Sequence, residues 1–283
     1  MKKRFLRRAI RHPSFAVGAS ILLIAAVVAV LGPTLSPYDA NDLNLRQRLL
    51  PPAWNAGGTW SHPLGTDSLG RDLLSRILVG SRISLLVGFC AVAVQGVVGT
   101  ALGLLAGYRG GWVDNVITRL ADIQLSIPFL VLALAVGAAL GPGLLNIILV
   151  LGVTGWAMYA RVARALTLQV KETDFVEAAR AIGQGSTRIA IRHILPNVLS
   201  SLGVTATFQM ARMIISESSL SFLGVGVPLE VTTWGSMIAA GRDYVSTAWW
   251  IATLPGLAIL VTVLSINLMG NALRDILDPR FKV

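Results

Sequence analysis

Long apolar runs alternate with short polar segments along most of this 283-residue chain. A helix needs about 20 mostly apolar residues to cross the hydrocarbon core of a bilayer. Six runs meet this requirement and predict an all-α integral membrane protein with six transmembrane helices, at 15–35, 83–107, 121–140, 144–160, 198–220 and 248–270. Only Gly-Pro-Gly at 141–143 separates the third run from the fourth, which predicts a tight helical hairpin.

The composition supports a membrane protein. Only 13% of the residues are charged, whereas soluble domains usually carry about 25%. The net charge of +10 could indicate a nucleic-acid partner, but the basic residues are spread between the apolar runs. We therefore expect contact with a lipid bilayer and not with nucleic acid. The first apolar run is too long for the core of a signal peptide, so we expect it to remain as a span.

The distribution of Lys and Arg predicts the orientation. If the N-terminus is cytoplasmic, 17 of the 24 basic residues lie in cytoplasmic segments and 6 in external ones, with Arg212 inside the fifth span. Such an excess is typical of the cytoplasmic side. The chain then divides into a basic cytoplasmic tail at 1–14, the first span at 15–35, an external loop at 36–82, a five-helix core at 83–271 with a cytoplasmic loop at 161–197, and a cytoplasmic tail at 272–283.

The cytoplasmic loop contains a short amphipathic segment. Its apolar residues recur at helical spacing and predict one stripe, formed by Phe175, Val176, Ala179 and Ile182. Asp174 and Glu177 form a plausible capping pair, and Gly183 is a natural stop. A second short helix is expected at 187–195, before Pro196 begins the next span. From amphipathicity alone, a helix lying in the lipid headgroup region would be the more common interpretation.

The residue order in this loop resembles a known motif. Glu177-Ala178-Ala179, followed by Gly183, His193 and Leu195-Pro196, is similar to the EAA loop of permease subunits of binding-protein-dependent ABC importers. Further stretches resemble the dipeptide, oligopeptide and nickel branch of that family: HPLGTDSLGRDLLSRILVGSRISL at 62–85, SESSLSFLGVGVP at 216–228 and NALRDILDPR at 271–280. Asn271 departs from the aspartate that is common there, which puts only a local contact of the tail in doubt.

The resemblance implies a fold and a mechanism. It implies the type I ABC importer permease fold, with a cytoplasmic coupling helix at 174–183 that sits in a groove of an ATPase subunit. Transport would be ATP-driven import by alternating access, and this chain would perform no covalent chemistry. The residues expected to couple to the ATPase are Phe175, Glu177, Ala178, Ala179, Arg180 and Gly183.

The same resemblance implies the partners and the location. A second, related permease, two cytoplasmic ATP-binding subunits and an external substrate-binding protein would complete the importer in a bacterial inner membrane. ATP and magnesium would bind the ATPase subunits, and this chain would bind no cofactor. Di- or oligopeptides are the first candidates for the cargo, and nickel chelates are the alternative.

Charged residues inside spans are costly and often functional. Arg212 and Glu217 in the fifth span could form an ion pair between helices, or Glu217 could reach external water. Alternatively, they line the translocation path and meet a zwitterionic substrate, and Asn267 in the sixth span is a weaker candidate for that path. Asp122 at the inner end of the third span is expected to pair with Arg119, three residues earlier on the same face.

Other motifs are set aside or remain structural expectations. The segment 65–72 has the glycine spacing of a phosphate-binding loop, but Arg71 replaces its lysine and Asp72 its Ser/Thr. We expect Arg71, Asp72 and Arg76 instead to pair locally and to pack a short interfacial helix. Small residues at every fourth position, Gly99, Gly103 and Gly107, predict a close approach to another helix, which the sequence does not identify.

The sequence gives less support to two further function classes. The three histidines, His12, His62 and His193, lie far apart in the sequence, so a metal or catalytic site built on histidine is not expected. A proton-coupled secondary transporter could use Asp122 or Glu217 as its proton carrier. Such folds usually contain repeated halves, and no convincing repeat relates the first three spans to the last three.

Overall fold

The computed structural model describes residues 12–228 and 230–277, and the regular structure within them is helical. The helices are α1 Pro13–Leu35, α2 Leu73–Arg109, α3 Gly111–Ser126, α4 Phe129–Leu140, α5 Leu144–Thr154, α6 Trp156–Lys171, α7 Asp174–Ala181, α8 Ser186–Ile189, α9 Leu195–Phe222, α10 Trp234–Gly241 and α11 Trp250–Leu277. Short 3₁₀ turns form at Leu45–Gln47 and Arg242–Tyr244, and a π-helical turn, Ala190–Ile194, joins α8 to α9. Residues 1–11 and 278–283, which belong to the two predicted cytoplasmic tails, lie outside the described residues.

Five helical stretches of the described residues are long and apolar enough to cross a membrane, namely α1, α2, α5 with α6, α8 with α9, and α11. The third predicted span, a continuous helix at 121–140, is wrong. The segment divides into α3 and α4, which meet at an angle of 92°. The break is explained by Pro128, because a proline disfavours the helical conformation of the residue before it, and Ile127 is extended, with φ −92° and ψ 130°.

Two predicted helix boundaries are corrected. The second span begins at Leu73 and not at 83, because the side chain of Asp72 accepts a hydrogen bond from the backbone N–H of Ser75 at 2.8 Å and caps the helix. The short helix expected at 187–195 is not separate from the next span. The π-helical turn Ala190–Ile194 carries the chain into α9, and Pro196 lies in the first turn of that helix, where its missing N–H is tolerated.

Helix α2 packs closely against α6 through its glycine stripe. A Cβ atom on Gly103 would lie 2.3 Å from the carbonyl oxygen of Ala160, and one on Gly107 would lie 2.8 Å from Cβ of Thr167. Gly99 faces the beginning of α6 in the same way. The partner that the sequence did not identify is therefore α6, and the small residues are needed because the two backbones nearly touch.

The loop before α2, predicted to be external, is held by buried carboxylates. Asp67 accepts from Arg71 Nε at 2.7 Å and lies 3.7 Å from Arg76 Nε, while Asp72 lies 2.9 Å from His62 Nδ1. The predicted pairing of these three residues with one another is wrong, because both arginines pair with Asp67 and the carboxylate of Asp72 pairs with His62. The prediction of a separate interfacial helix here is wrong, because this segment forms the capped beginning of α2.

Candidate functional site

The cytoplasmic loop predicted to couple to an ATPase folds around α7. The carbonyl oxygen of Thr173 accepts from the N–H groups of Val176 and Glu177 at 2.9 and 3.2 Å and begins this helix. The N-cap residue is Thr173, and its side chain makes no capping hydrogen bond to the helix. The predicted Asp174–Glu177 capping pair is therefore wrong. Both residues lie in the first turn of α7, where a negative charge is stabilised by the positive end of the helix dipole.

The end of α7 is a glycine-terminated turn. Gly183 has φ +78°, a conformation that favours glycine. The N–H of Gly183 donates to the carbonyl of Arg180 at 2.9 Å, and the N–H of Gln184 donates to that of Ala179 at 3.1 Å. This pair of bonds is the Schellman pattern. The prediction that Gly183 ends the helix is confirmed.

One side of α7 is fixed to the membrane helices. Val176 is 0% exposed and Ala179 is 4% exposed. They belong to one apolar cluster, whose other buried members are Tyr159, Ala163, Ile189, Ile194, Val198 and Leu202. Because this cluster includes residues of α6 and α9, α7 is packed against two spans. Ala179, predicted for the ATPase contact, is a packing residue in this structure.

The other side of α7 is open and mixed in character. Phe175 is 47% exposed and Ile182 is 75% exposed. The predicted single apolar stripe is therefore corrected, because two of its four members face the cluster and two face outward. We define the α7 surface as the exposed residues Phe175, Glu177, Ala178, Arg180, Ile182 and Gly183. It combines two apolar side chains, one charge of each sign and two small residues.

A cleft and a short polar contact border the α7 surface. Arg180 lines a cleft of about 660 Å³ together with Tyr108 and Arg109 at the end of α2 and with residues of α8. On the far side of the loop, His193 Nε2 and Gln184 Oε1 lie 2.9 Å apart. This contact ties the turn after α7 to the π-helical turn before α9.

Ion pairs connect α3 with α6. Arg164 Nη2 donates to Asp114 Oδ2 at 2.6 Å, and its Nε donates to the other carboxylate oxygen. Arg161 Nη2 donates to Asp122 at 2.7 Å. The predicted pairing of Asp122 with Arg119 is therefore wrong. Sequence reasoning missed the Asp114–Arg164 pair, because residues 50 positions apart leave no periodic signal.

The residues predicted for the translocation path lie in different environments. Arg212 is exposed, and its guanidinium lies 4.9 Å from the centre of the Phe129 ring. Glu217 is 0% exposed and accepts a hydrogen bond from Ser221 at 2.8 Å. Neither Arg212 nor Glu217 takes part in a salt bridge among the described residues, so the predicted alternative of an ion pair between helices is not seen there. Asn267 lies half-buried in α11.

Comparison with known proteins identifies related sequences over nearly the whole chain. The family described as "Binding-protein-dependent transport system inner membrane component" matches residues 99–283, and the "N-terminal TM domain of oligopeptide transport permease C" matches residues 1–52. The di/tripeptide transport system permease protein of Pseudomonas aeruginosa is 42% identical, over 94% of this chain and 88% of that protein. The dipeptide transport system permease protein of Haemophilus influenzae is 41% identical, over 94% and 90%.

A third relative and a solved structure agree with these matches. The probable D,D-dipeptide transport system permease protein of Escherichia coli is 40% identical, over 95% of this chain and 88% of that protein. A chain of the methionine ABC transporter MetNI, in an inward-facing conformation, matches with a TM-score of 0.57 and 20% identity, over 72% of this chain and 97% of that chain. At this identity the likeness shows the fold alone, and that fold is the type I importer permease fold predicted from the sequence.

Proposed function

Because the chain belongs to the family of binding-protein-dependent transport system inner membrane components, we propose that it forms half of the membrane passage of an ATP-driven importer of di- or oligopeptides. Members of this family are membrane-embedded transport subunits and not themselves enzymes. The prediction of a permease subunit from the sequence agrees with this membership.

The proposed cargo rests on the relatives. Three proteins that align with at least 94% of this chain are named for the transport of di- or tripeptides. None of these three is named for nickel, so the nickel-chelate alternative has less support. The secondary-transporter alternative is not favoured, because members of the family work with a binding protein.

The proposed assembly contains a second, related permease, two ATP-binding subunits and an external substrate-binding protein. ATP and magnesium belong to the ATP-binding subunits. The orientation follows from the excess of Lys and Arg in the segments assigned to the cytoplasm. In the proposed orientation, α7 and both termini are on the cytoplasmic side and the loop before α2 is on the opposite side.

The α7 surface is the proposed contact with an ATP-binding subunit. The observation that carries this proposal is the division of α7 into a buried side, Val176 and Ala179, and an open side that includes Phe175 and Ile182. Exposed apolar side chains next to charged ones are typical of a protein interface. Ala178 lets a partner approach closely, because its side chain is only a methyl group.

The buried side of α7 explains how movement would be transmitted. A partner that displaces α7 also displaces the cluster that contains Tyr159 of α6 and Val198 of α9. Packed interiors resist deformation and move as units. The closing of the ATP-binding subunits would therefore rotate or shift these spans and open the passage to the other side of the membrane.

Gentle purification and a transport assay test this function together. A tagged copy, extracted from its native membrane, should bring two ATP-binding chains and one second permease in stoichiometric amounts, as identified by mass. In liposomes with the binding protein, this complex should accumulate trialanine when ATP is supplied. A chain that is recovered alone, with uptake driven by a proton gradient and insensitive to ATP, would contradict the proposal and favour a secondary transporter.

A further inference from the structure

The break between α3 and α4 places irregular backbone within a membrane-spanning segment. The chain turns by 92° there, and Ile127 and Pro128 are not helical. Non-helical backbone at membrane depth is stable only where protein covers it or where it borders a water-filled cavity. Ile127 is 38% exposed in this chain, so the turn is not covered by the described residues alone.

Polar side chains from α3, α5 and α9 meet at this turn. A small cavity of about 40 Å³ is lined by Gln124, Thr154, Gln209 and Arg212. The amide of Gln124 donates to the carbonyl of Thr154, and that of Gln209 donates to Gln95 Oε1 at 3.2 Å. These bonds fix the surrounding side chains, so the polar lining of the turn is ordered before any ligand arrives.

Arg212 is the charged member of this group, and no acidic residue that the structure describes neutralises its charge. Among residues 12–228 and 230–277, no carboxylate lies within ion-pair distance of its guanidinium. Glu217 cannot serve, because it is buried and bonded to Ser221. Arg212 lies ten residues before the end of α9 at Phe222, which is about 15 Å along the helix.

An unpaired guanidinium at this depth is costly unless it faces water or an anion. The ring of Phe129 lies 4.9 Å from the guanidinium of Arg212 and holds it beside the turn. A cation–π contact of this kind stabilises the cation without neutralising it. The planar guanidinium keeps its hydrogen-bond donors available, and these match the two oxygens of a carboxylate.

We propose that Arg212, held by Phe129 beside the α3–α4 turn, binds the carboxylate of a peptide as it crosses the membrane. This inference rests on the proposed function, because it takes the passing cargo to be a peptide. The cavity is too small for the cargo itself, so the peptide lies on the exposed side of Arg212. The second permease forms the opposite wall of the passage.

Chemical restoration of the charge tests this inference. Arg212→Cys is prepared in a Cys90→Ser background, assembled with all partner subunits in liposomes, and supplied with trialanine on the binding protein. Uptake should fall about tenfold, as expected from the loss of a hydrogen bond to a charged group. Methanethiosulfonate ethylammonium, which attaches an ammonium group to the cysteine, should restore most of the uptake. Uncharged methyl methanethiosulfonate should restore none.

Several outcomes would overturn the inference. They are undiminished uptake by Arg212→Cys, or equal restoration by the charged and uncharged reagents. Arg212→Lys and Arg212→Gln cover a failure of the cysteine variant to assemble: the lysine variant should keep uptake and the glutamine variant should lose it, so equal uptake by the two would also overturn the inference. A Cys90→Ser complex that hydrolyses ATP but takes up no trialanine would instead contradict the proposed cargo, and this inference with it.

Discussion

Gly103 of α2 lies so close to Ala160 of α6 that a Cβ atom at position 103 would come within 2.3 Å of the Ala160 carbonyl oxygen. A backbone oxygen cannot move aside as a flexible side chain can. The contact therefore requires glycine at this position, and it holds α2 against α6. Helix α6 also carries the cluster beneath α7, so this contact supports the candidate coupling loop as well.

Gly103→Ala should destabilise the protein, because overpacking usually costs about 1–3 kcal/mol. The gain of about 1 kcal/mol that alanine brings in a helix interior offsets part of this cost, so the net loss of stability should be up to about 2 kcal/mol. Gly96→Ala on the same helix is the matched control, because its Cβ would meet Tyr159 at an ordinary 3.7 Å. Thermal unfolding in detergent measures the difference. Equal midpoints for the two variants would contradict the close α2–α6 contact.

The side chain of Asp72 holds several groups of the loop before α2. It is 2% exposed, accepts from the N–H and hydroxyl of Ser75 at 2.8 and 2.6 Å, and lies 2.9 Å from His62. Asp72→Ala should cost about 3 kcal/mol, because it removes a helix cap and leaves the Nδ1 atom of the buried His62 without its partner. Cleavage of the external loop by an added protease should become faster.

Asp39→Ala is the control for Asp72→Ala. Asp39 accepts a hydrogen bond from the N–H of Asn41 at 2.8 Å in an exposed turn of the same loop. Its loss should change stability by less than about 1 kcal/mol and should leave protease resistance nearly unchanged. If the Asp39 variant were cleaved as fast as the Asp72 variant, the buried carboxylate would not be what holds the loop.

The spans were predictable because a membrane imposes a length and an apolar composition that a single sequence displays. The turn at Ile127 was also signalled, since Pro128 disfavours helix before it, but the apolar run on both sides concealed it. The long-range ion pairs Asp114–Arg164 and Asp122–Arg161 could not be predicted. They depend on which helices become neighbours, and periodicity within one helix carries no such information.

The sequence predicted the local features of the candidate site but not those that depend on neighbouring helices. The glycine that ends α7 is a local requirement of backbone geometry, and Gly183 meets it. The orientation of each apolar residue depends on the neighbouring spans, so one stripe was expected where Val176 faces inward and Phe175 outward. The interior position of Glu217 likewise depends on a hydroxyl partner, Ser221, one turn later on its own helix.

Charge reversal on the α7 surface should separate ATP hydrolysis from transport. Glu177 is exposed, so the Glu177→Arg subunit should remain in the membrane and in the assembled complex. The amount of trialanine taken up per ATP hydrolysed should fall about tenfold. The reason is that a like charge placed at an interface costs up to several kcal/mol. Parallel assays of ATP hydrolysis and uptake in liposomes give this ratio.

Glu172→Arg makes the same charge reversal in the exposed segment between α6 and α7. It should leave the ratio close to that of the unmodified complex. A ratio that falls equally for both variants would mean that the charge of the whole loop matters and the α7 contact does not. An unchanged ratio for Glu177→Arg would contradict the proposed role of this residue.

Photochemical cross-linking detects directly whether α7 contacts an ATP-binding subunit. The photoreactive residue p-benzoylphenylalanine is placed at Phe175, which is 47% exposed on α7, or at Phe89, which is 63% exposed on the membrane helix α2. Illumination of intact cells should join the chain to an ATP-binding subunit from position 175 and not from position 89. An adduct with lipid alone from position 175, or with the ATP-binding subunit from position 89 only, would contradict the account.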